Sequence, residues 1–502
     1  MILDPRRARD AARSALTPLV APEQESVVTR VESPLVAGSL AALSGVLALA
    51  AEWTAPQPLL AWIAPVPVLV ATLLRRERDP WWLGLLWGLL AHVPVLRWAW
   101  LNPNWPLGAT CGAYAGLVGL RVGQLEVLAA TARVAPALAP VAFAAAVTLM
   151  EWLLECAHLA LWWTWAAPLA PIGWLHGISA LGGTYLVSFV AALGAATLAS
   201  MLVLRGRATL AAGFGAAVVV AAFAVAGVRS LPGLARAVRV AAVVHRLDPI
   251  TATRWDAGEV RHEDTLATLA AYEQLTRAAR TRGASVIVWP EYAVYVAADD
   301  LPLWRERVGR LAADTGATVV AAFIDVAQGG NRALLAMPGG EVVIYTKQFL
   351  APGIESSWLR PGTAPFGAVG ADPLRVGARI CYDAEYAGGF RAAAHAGVHL
   401  IAIPSRDWRG IEVAHAAPVP FRASENGLAV VRATRGGRSL VVDPHGTIVA
   451  QADDTGTADV LLVADVPVAE KSGATLYGRV GNWPPTLAAV ILVLVVLRAE
   501  AV

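Results

Sequence analysis

The chain has 502 residues, of which 57% are hydrophobic and 16% are charged, and its formal net charge is +2. This composition is too apolar for an ordinary water-soluble protein and indicates several membrane spans. The near balance of charge excludes the basic surface that a nucleic-acid-binding domain needs, so we expect no nucleic-acid partner.

Apolar stretches long enough to cross a bilayer recur through the first half of the chain, and one more closes it. Residues 238–470 contain no such stretch and carry frequent charges. The sequence therefore predicts an N-terminal tail (1–34), a seven-helix membrane domain (35–230), a domain of α/β type (238–470) and a closing anchor (483–497). The predicted spans are 35–51, 58–74, 81–99, 108–131, 134–157, 177–204, 208–228 and 483–497.

Arginines mark alternate loops of the membrane domain, and short loops rich in Lys or Arg stay in the cytoplasm. This distribution predicts a cytoplasmic tail and an extracytoplasmic 238–470 domain. The outer segment 158–176 is rich in tryptophan, either as an interfacial belt or as a platform that presents lipid to the domain above. The arginines are Arg6, Arg7, Arg9, Arg13, Arg30, Arg75, Arg76, Arg78, Arg133, Arg205 and Arg207.

Strand-like and helix-like segments alternate within 238–470, which predicts mixed sheets covered by helices, an α/β layered sandwich. The expected strands lie at 238–245, 285–291, 318–325, 332–338, 341–348, 374–383, 398–405, 428–435 and 438–446, and the expected helices at 262–282, 300–314, 384–396 and 412–426.

Three polar residues interrupt strand ends in this domain: Glu291, Lys347 and Cys381. Strand ends are where α/β folds collect catalytic groups. Taken singly, each residue has an ordinary alternative role: Glu291 as a surface carboxylate, Lys347 as an exposed charge on a strand, and Cys381 as a thiol packed in the core. Their combination would give a thiol nucleophile if a cation favours the thiolate and a carboxylate accepts its proton.

Residue usage favours the catalytic interpretation. Of the 40 Lys and Arg residues only Lys347 and Lys471 are lysine, so a compact ammonium is retained where a planar guanidinium would not serve. Cys381 is the single cysteine of 238–470, since Cys111 and Cys156 lie in predicted spans. An unpaired cysteine in an oxidising compartment calls for a functional reason.

These residues, in "WPE", "YTK" and "GARICY", resemble the Glu-Lys-Cys triad of the nitrilase (carbon–nitrogen hydrolase) superfamily, and the surrounding spans resemble its apolipoprotein N-acyltransferase family. The resemblance implies a nitrilase-like four-layer αββα sandwich in a multi-pass protein of the bacterial cytoplasmic (inner) membrane. Further matching positions are Trp255, Asn331, Glu355, Tyr382, 421–425 and 475–483.

The resemblance also implies a reaction: an acyl chain passes from a phospholipid, through a thioester on Cys381, to the amino group of diacylglyceryl-cysteine in a lipoprotein. Glu291 would be the general base, Lys347 the oxyanion-stabilising cation, and Glu355 a second carboxylate that orders the site. The implied partners are the phospholipid donor, the apolipoprotein acceptor and membrane lipid. No metal or cofactor is implied, and we expect a monomer.

Some positions depart from the family pattern, and these departures concern the acceptor site: 404–408, Asp383, 434–438 and Asn482. Arg406 and Arg409, beside Trp408, are either phosphate-binding residues or solvated loop charges. The loop 349–362 is a candidate lid. Its apolar residues either dip towards lipid or pack on the domain: Phe349, Leu350, Trp358 and Leu359.

The sequence is also compatible with two other functions. One is a membrane-anchored amidase of the same superfamily, in which water resolves the thioester. The other is a catalytically silent relative that binds lipoproteins. The intact triad argues against the silent relative, and the extensive membrane domain argues against a hydrolase of small amides.

Overall fold

A computed structural model describes residues 33–52, 57–76, 78–101, 107–159, 164–203, 207–371 and 373–500. The predicted tail (1–34) therefore lies almost entirely outside the described residues. The first half of the described chain is helical. The helices are α1 (Pro34–Glu52), α2 (Pro58–Ile63), α3 (Val66–Leu74), α4 (Trp81–Ala91), α5 (Val93–Leu101), α6 (Leu107–Val134), α7 (Ala139–Cys156), α8 (Gly173–Val203) and α9 (Arg207–Ser230).

Long apolar helices make this a membrane protein. Among the described residues, five helices are long and apolar enough to cross a bilayer, and further apolar helices are shorter. The predicted spans 58–74 and 81–99 are each broken into two helices. Pro65 lies at the first break and Pro94 just after the second. Proline interrupts a helix because it lacks the N–H and its ring clashes with the preceding helical turn.

Two mixed sheets form the second half. The first has the order β13-β1-β2-β4-β5-β6, with β3 beside β4, and the second has the order β12-β11-β10-β9-β8-β7. The first contains β1 (Leu234–Val244), β2 (Val286–Val288), β3 (Val294–Val296), β4 (Thr318–Asp325), β5 (Gly330–Ala336), β6 (Val342–Thr346) and β13 (Val460–Ala469). The second contains β7 (Gly367–Val369), β8 (Val376–Ala378), β9 (Leu400–Arg406), β10 (Ala429–Arg435), β11 (Arg438–Val442) and β12 (Ile448–Asp453).

The two sheets pack face to face between layers of helices, which confirms the predicted four-layer αββα sandwich. In β1, for example, Val240 joins the apolar core between the sheets and Val243 joins the core under the first helical layer. Successive strand residues face opposite sides, so a strand buried on both faces is apolar throughout. The helices are α10 (Pro249–Asp256), α11 (His262–Thr281), α12 (Leu301–Thr315), α13 (Ala387–His395), α14 (Val419–Asn426), α15 (Leu476–Val480) and the closing α16 (Trp483–Glu500).

Several predicted boundaries are wrong. The helix expected at 412–426 begins only at Val419, after a series of turns that ends at Pro418. The strand expected at 374–383 ends at Ala378, and Cys381–Glu385 form a 3₁₀ helix instead. The strands β3, β7, β12 and β13 are absent from the prediction.

Helix α8 is interrupted inside the protein. Its backbone is non-helical at 182–183, where the φ angles are −145° and 71°. The carboxylate of Glu425 accepts a hydrogen bond from the Thr184 N–H at 2.8 Å, and the Trp483 indole donates to the Leu181 carbonyl at 2.8 Å. Non-helical backbone at membrane depth is tolerated where protein groups satisfy it. The α/β domain and the closing segment therefore complete this membrane helix.

Gly183→Ala is expected to lower the stability of the whole protein by about 2 kcal/mol, because a left-handed residue with a Cβ is strained. The added Cβ would also lie 2.7 Å from the Tyr477 ring, which packs against the break. The measurement is thermal unfolding of the purified protein in detergent. Gly215→Ala in α9 is the control, because its Cβ meets no atom within 4 Å. Equal melting temperatures for the two variants would contradict the prediction.

Candidate active site

The three predicted catalytic residues lie where strands of both sheets end. Glu291 follows β2, Lys347 follows β6 and Cys381 follows β8. The Lys347 N–H donates to the Asn331 carbonyl at 2.8 Å, and the Glu291 N–H donates to the Ser405 carbonyl of the other sheet at 3.3 Å. Strand pairing thus gathers residues that are distant in sequence into one crevice.

A buried ion cluster surrounds the Lys347 ammonium. Its Nζ lies 2.8 Å from Glu291 Oε1 and 2.6 Å from Glu355 Oε2. The Asn331 amide donates to both carboxylates, at 2.7 Å to Glu291 and 2.9 Å to Glu355. All of these side chains are buried. The arrangement fixes a base beside a cation, and it brings together three of the predicted charged residues, Glu291, Lys347 and Glu355.

Burial and charge pairing set the protonation states of this cluster. Desolvation lowers the pKa of Lys347, but attraction to Glu291 and Glu355 outweighs it and holds that pKa well above its usual value. Desolvation raises the pKa of Glu291. For Glu355, desolvation is outweighed by the attraction of Lys347, and the pKa is lowered. Glu291 is therefore the better proton acceptor of the two carboxylates.

The surroundings of the Cys381 thiol disfavour its thiolate form. Burial, followed by repulsion from Glu291, raises its pKa well above the usual value, and the attraction of Lys347 offsets only part of this. Lys347 therefore favours the thiolate, as expected, but its effect on the pKa is smaller than the combined effect of burial and Glu291. Because the thiolate is disfavoured, the reaction needs a general base, and Glu291 is a carboxylate that interacts with this thiol.

Cys381 occupies a strained turn that sequence patterns did not predict. Its φ is 49°, in the left-handed region that residues with a Cβ rarely adopt. Its Sγ lies 3.7 Å from the carbonyl oxygen of Arg406. Such strain persists only where the surroundings hold it, and it is common at functional sites.

Asp383, one of the departures from the family pattern, ties this turn to the strand that carries Lys347. One carboxylate oxygen accepts from the Ile380 N–H at 3.0 Å and the Tyr345 hydroxyl at 2.7 Å. The other accepts from the backbone N–H groups of 348–349, at 3.1 Å and 2.7 Å. Asp383 therefore links the turn that carries Cys381 to the segment that carries Lys347.

The candidate lid residues have different environments. Phe349 stacks on Tyr386 with ring centroids 3.7 Å apart. Leu350 is partly buried against the core and Leu359 is buried in it, so both pack on the domain. Trp358 is 48% exposed. Of the four, Trp358 alone is open enough to contact lipid in this conformation.

Three more predicted residues are aromatic. Tyr382 and Trp408 belong to an apolar cluster that also includes Leu117 of membrane helix α6. This cluster joins the nucleophile turn to the membrane helices. Trp255 is instead a core residue, 3% exposed and stacked on Tyr295 at 4.8 Å. Tyr295 in turn contacts the ring of Tyr292 at 5.9 Å, so Trp255 is a buried core residue behind the site.

Arg406 contributes through both its backbone and its side chain. Its N–H donates to Glu291 Oε2 at 2.9 Å. Its guanidinium lies over the Tyr292 ring, 5.1 Å from the centroid, and 3.7 Å from a carboxylate oxygen of Asp256. Arg409 is exposed. Arg406 is thus part of the site, whereas Arg409 lies at the surface.

Other site residues escaped sequence analysis. The Tyr292 hydroxyl donates to Glu355 Oε1 at 3.0 Å. Asp407 is buried between Arg432, at 2.8 Å, and His415, at 2.7 Å. The one available signal was the charged "SRDW" stretch at a strand end. In the described part of the chain, no group of three or more His, Cys, Asp or Glu is arranged to hold a metal ion.

Known proteins resemble this chain in both halves. Residues 241–471 match the carbon-nitrogen hydrolase family. A Gloeobacter violaceus protein named apolipoprotein N-acyltransferase is 29% identical over 93% of this chain and 95% of its own length. A Chromobacterium violaceum protein of the same name is 28% identical over 91% of this chain and 92% of its own length. The similarity to both proteins therefore includes the membrane helices.

A third relative matches less of the chain. The N-carbamoylputrescine amidase of Arabidopsis thaliana is 26% identical over 46% of this chain and 91% of its own length. The chain thus shares a unit with an amidase and nearly its whole length with N-acyltransferases.

Proposed function

Because the chain belongs to the carbon–nitrogen hydrolase superfamily, we propose that it transfers an acyl chain from a phospholipid to the N-terminal amine of a diacylglyceryl-cysteine lipoprotein. One observation carries this proposal. Tyr382 of the nucleophile turn belongs to the same apolar cluster as Leu117 of membrane helix α6, so the thiol lies near the membrane part of the protein. The similarity to N-acyltransferases over 93% of the chain supports the same reaction.

In the first half-reaction Cys381 Sγ attacks the carbonyl carbon of the phospholipid sn-1 ester, and Glu291 takes the thiol proton. Negative charge develops on the carbonyl oxygen, where the Lys347 ammonium stabilises it. A preorganised cation at this position contributes several kcal/mol. The carbon–oxygen bond then breaks, Glu291 returns the proton to the leaving alkoxide, and a lysophospholipid departs from the thioester.

In the second half-reaction the neutral α-amine of the acceptor attacks the thioester carbonyl. Glu291 accepts one amine proton, the carbon–sulfur bond breaks, and the proton passes to the Cys381 sulfur. The products are an N-acylated lipoprotein and the free thiol. Glu355 and Asn331 hold Lys347 and Glu291 in place through both halves, since Asn331 and Lys347 each bind both carboxylates.

The direct test uses purified protein in liposomes with a diacylglyceryl-cysteine peptide. We expect equal amounts of lysophospholipid and N-acylated peptide, measured by mass spectrometry. Free fatty acid or ammonia from small amides, without N-acylated peptide, would instead indicate the amidase. Binding of the peptide without any product would indicate a silent relative, and either result would overturn the proposal.

We further propose that the protein resides in the bacterial cytoplasmic membrane with its α/β domain outside. The alternating arginine-rich loops support this orientation. In a Cys111→Ser/Cys156→Ser background, Thr455→Cys is expected to react with a membrane-impermeant thiol reagent in intact cells. Asp79→Cys is expected to react only after lysis, although both positions are exposed. The reverse labelling pattern would contradict this orientation.

A further inference from the structure

We infer that Arg435 is a positioning residue that holds the general base, Glu291, through the backbone turn that follows it. Its Nη1 donates to the Tyr292 carbonyl oxygen at 2.8 Å. Its Nη2 donates to the Ala293 carbonyl at 3.5 Å and the Tyr272 hydroxyl at 3.2 Å. Arg435 itself does not touch the cluster around Lys347, so its effect on the reaction is transmitted through this turn.

The turn needs an external support. Tyr292 has a φ of 55°, a costly conformation for a residue with a Cβ. Among the described residues only His158, Tyr292 and Cys381 combine a side chain with positive φ, so two of the three lie in the candidate active site. Strained backbone persists where neighbouring groups over-determine it, and a bond to the Tyr292 carbonyl is such a constraint.

The support comes from the ends of two adjacent strands. Arg435 at the end of β10 pairs in register with Arg406 at the end of β9. Arg406 binds the Glu291 carboxylate through its N–H at 2.9 Å and covers the Tyr292 ring with its guanidinium. The two arginines thus hold the ring and the carbonyl of the same residue. The second sheet thereby fixes a turn that belongs to the first.

The consequence for the reaction rests on the proposed role of Glu291 as general base. Glu291 must lie within hydrogen-bond reach of the Cys381 thiol to take its proton. Its neighbour Tyr292 also binds Glu355, so a shift of the turn would move both carboxylates. Loss of Arg435 should therefore weaken proton transfer from the thiol while leaving the thiol itself in place.

Alkylation of Cys381 by iodoacetamide measures this proton transfer without any lipid. The carbon–sulfur bond forms, the carbon–iodine bond breaks and iodide leaves, and the thiol proton goes to Glu291 at neutral pH or to hydroxide at high pH. The full-length protein carries Cys111→Ser and Cys156→Ser, so that Cys381 is the remaining thiol. Rates are compared at about pH 7 and about pH 10, because hydroxide is far more abundant at the higher pH and can take the thiol proton without Glu291.

Arg435→Met is expected to lower the rate at neutral pH by roughly tenfold to a hundredfold, as misplaced catalytic groups do, with little change at high pH. Arg435→Lys retains one donor and should lose less of the neutral rate. Arg438→Met is the matched control, because this arginine of the neighbouring strand β11 binds Asp453 at 2.7 Å instead of the turn. Its neutral and high-pH rates should equal those of the parent.

A purely structural role would reduce both rates equally, through loss of folded protein, and would overturn the inference. An unchanged neutral rate in Arg435→Met would do the same. If Arg435→Met does not fold, Arg435→Lys decides, and a parental neutral rate in that variant rejects the inference. If the parent shows the neutral reaction but transfers no acyl chain from phospholipid, the proposed function fails while the assignment of Arg435 stands.

Discussion

Cys381→Ser is expected to abolish thioester formation and to lower acyl transfer by roughly a thousandfold or more, as loss of a nucleophile does in other covalent enzymes. The serine hydroxyl is a far weaker acid than a thiol, and burial beside Glu291 disfavours the anion further. After incubation with phospholipid alone, intact-mass analysis should show one acyl group on the parent protein. Neutral hydroxylamine should release it.

The exposed Cys156 supplies the control for this experiment. Cys156→Ser should carry the same hydroxylamine-sensitive acyl group as the parent, because its thiol lies in membrane helix α7, outside the candidate site. A hydroxylamine-sensitive acyl group on Cys381→Ser would show that another thiol is acylated. That result would remove Cys381 as the nucleophile.

Lys347→Arg is expected to fold but to lose roughly a hundredfold in acyl transfer, the cost of misplacing a catalytic group by about 1 Å. A guanidinium can still pair with Glu291 and Glu355, so the charge of the cluster is conserved. Its planar fork cannot occupy the point where Nζ lies 2.8 Å and 2.6 Å from the two carboxylates. Both thioester formation and its resolution should slow, as single-turnover kinetics would show.

The chain offers a matched control for this change in Lys471, its second lysine, which is exposed. Lys471→Arg should leave turnover unchanged, since exposed charge-conserving substitutions have small effects. Near-parental turnover by Lys347→Arg would contradict a requirement for a compact ammonium. It would also remove the main argument for the Glu291–Lys347–Cys381 triad.

The fold was predictable where burial imposes a simple pattern. Doubly buried strands such as β4 and β9 appear in the sequence as continuous apolar runs, and the helices between them carry periodic charges. Strand β12, in contrast, is short and partly exposed, and β13 contains Asp465 on an exposed face. Both strands form because they pair with neighbouring strands, whereas their own residues show no simple strand pattern. A local sequence pattern therefore could not identify them.

The catalytic residues were predictable because their types were unusual for this chain. Lys347 was conspicuous among arginines, and Cys381 was the single cysteine of its domain. The backbone at Cys381 and Tyr292 was not predictable, because a left-handed residue that is not glycine has no local sequence signal. Arg435 was equally hidden, since its contact with Tyr292 spans 143 positions.

The interrupted helix α8 has a consequence for how the protein is made. The Thr184 N–H is satisfied by Glu425, 241 residues later, and the Leu181 carbonyl by Trp483, 302 residues later. At a synthesis rate of about 5–20 residues per second, the ribosome needs roughly 10 to 50 s to reach Glu425 after Thr184 is complete. Throughout that interval the nascent membrane helix lacks the groups that complete its backbone bonding. We therefore expect the native break in α8 to form only after the α/β domain has folded, which makes co-translational membrane assembly depend on a segment not yet synthesised.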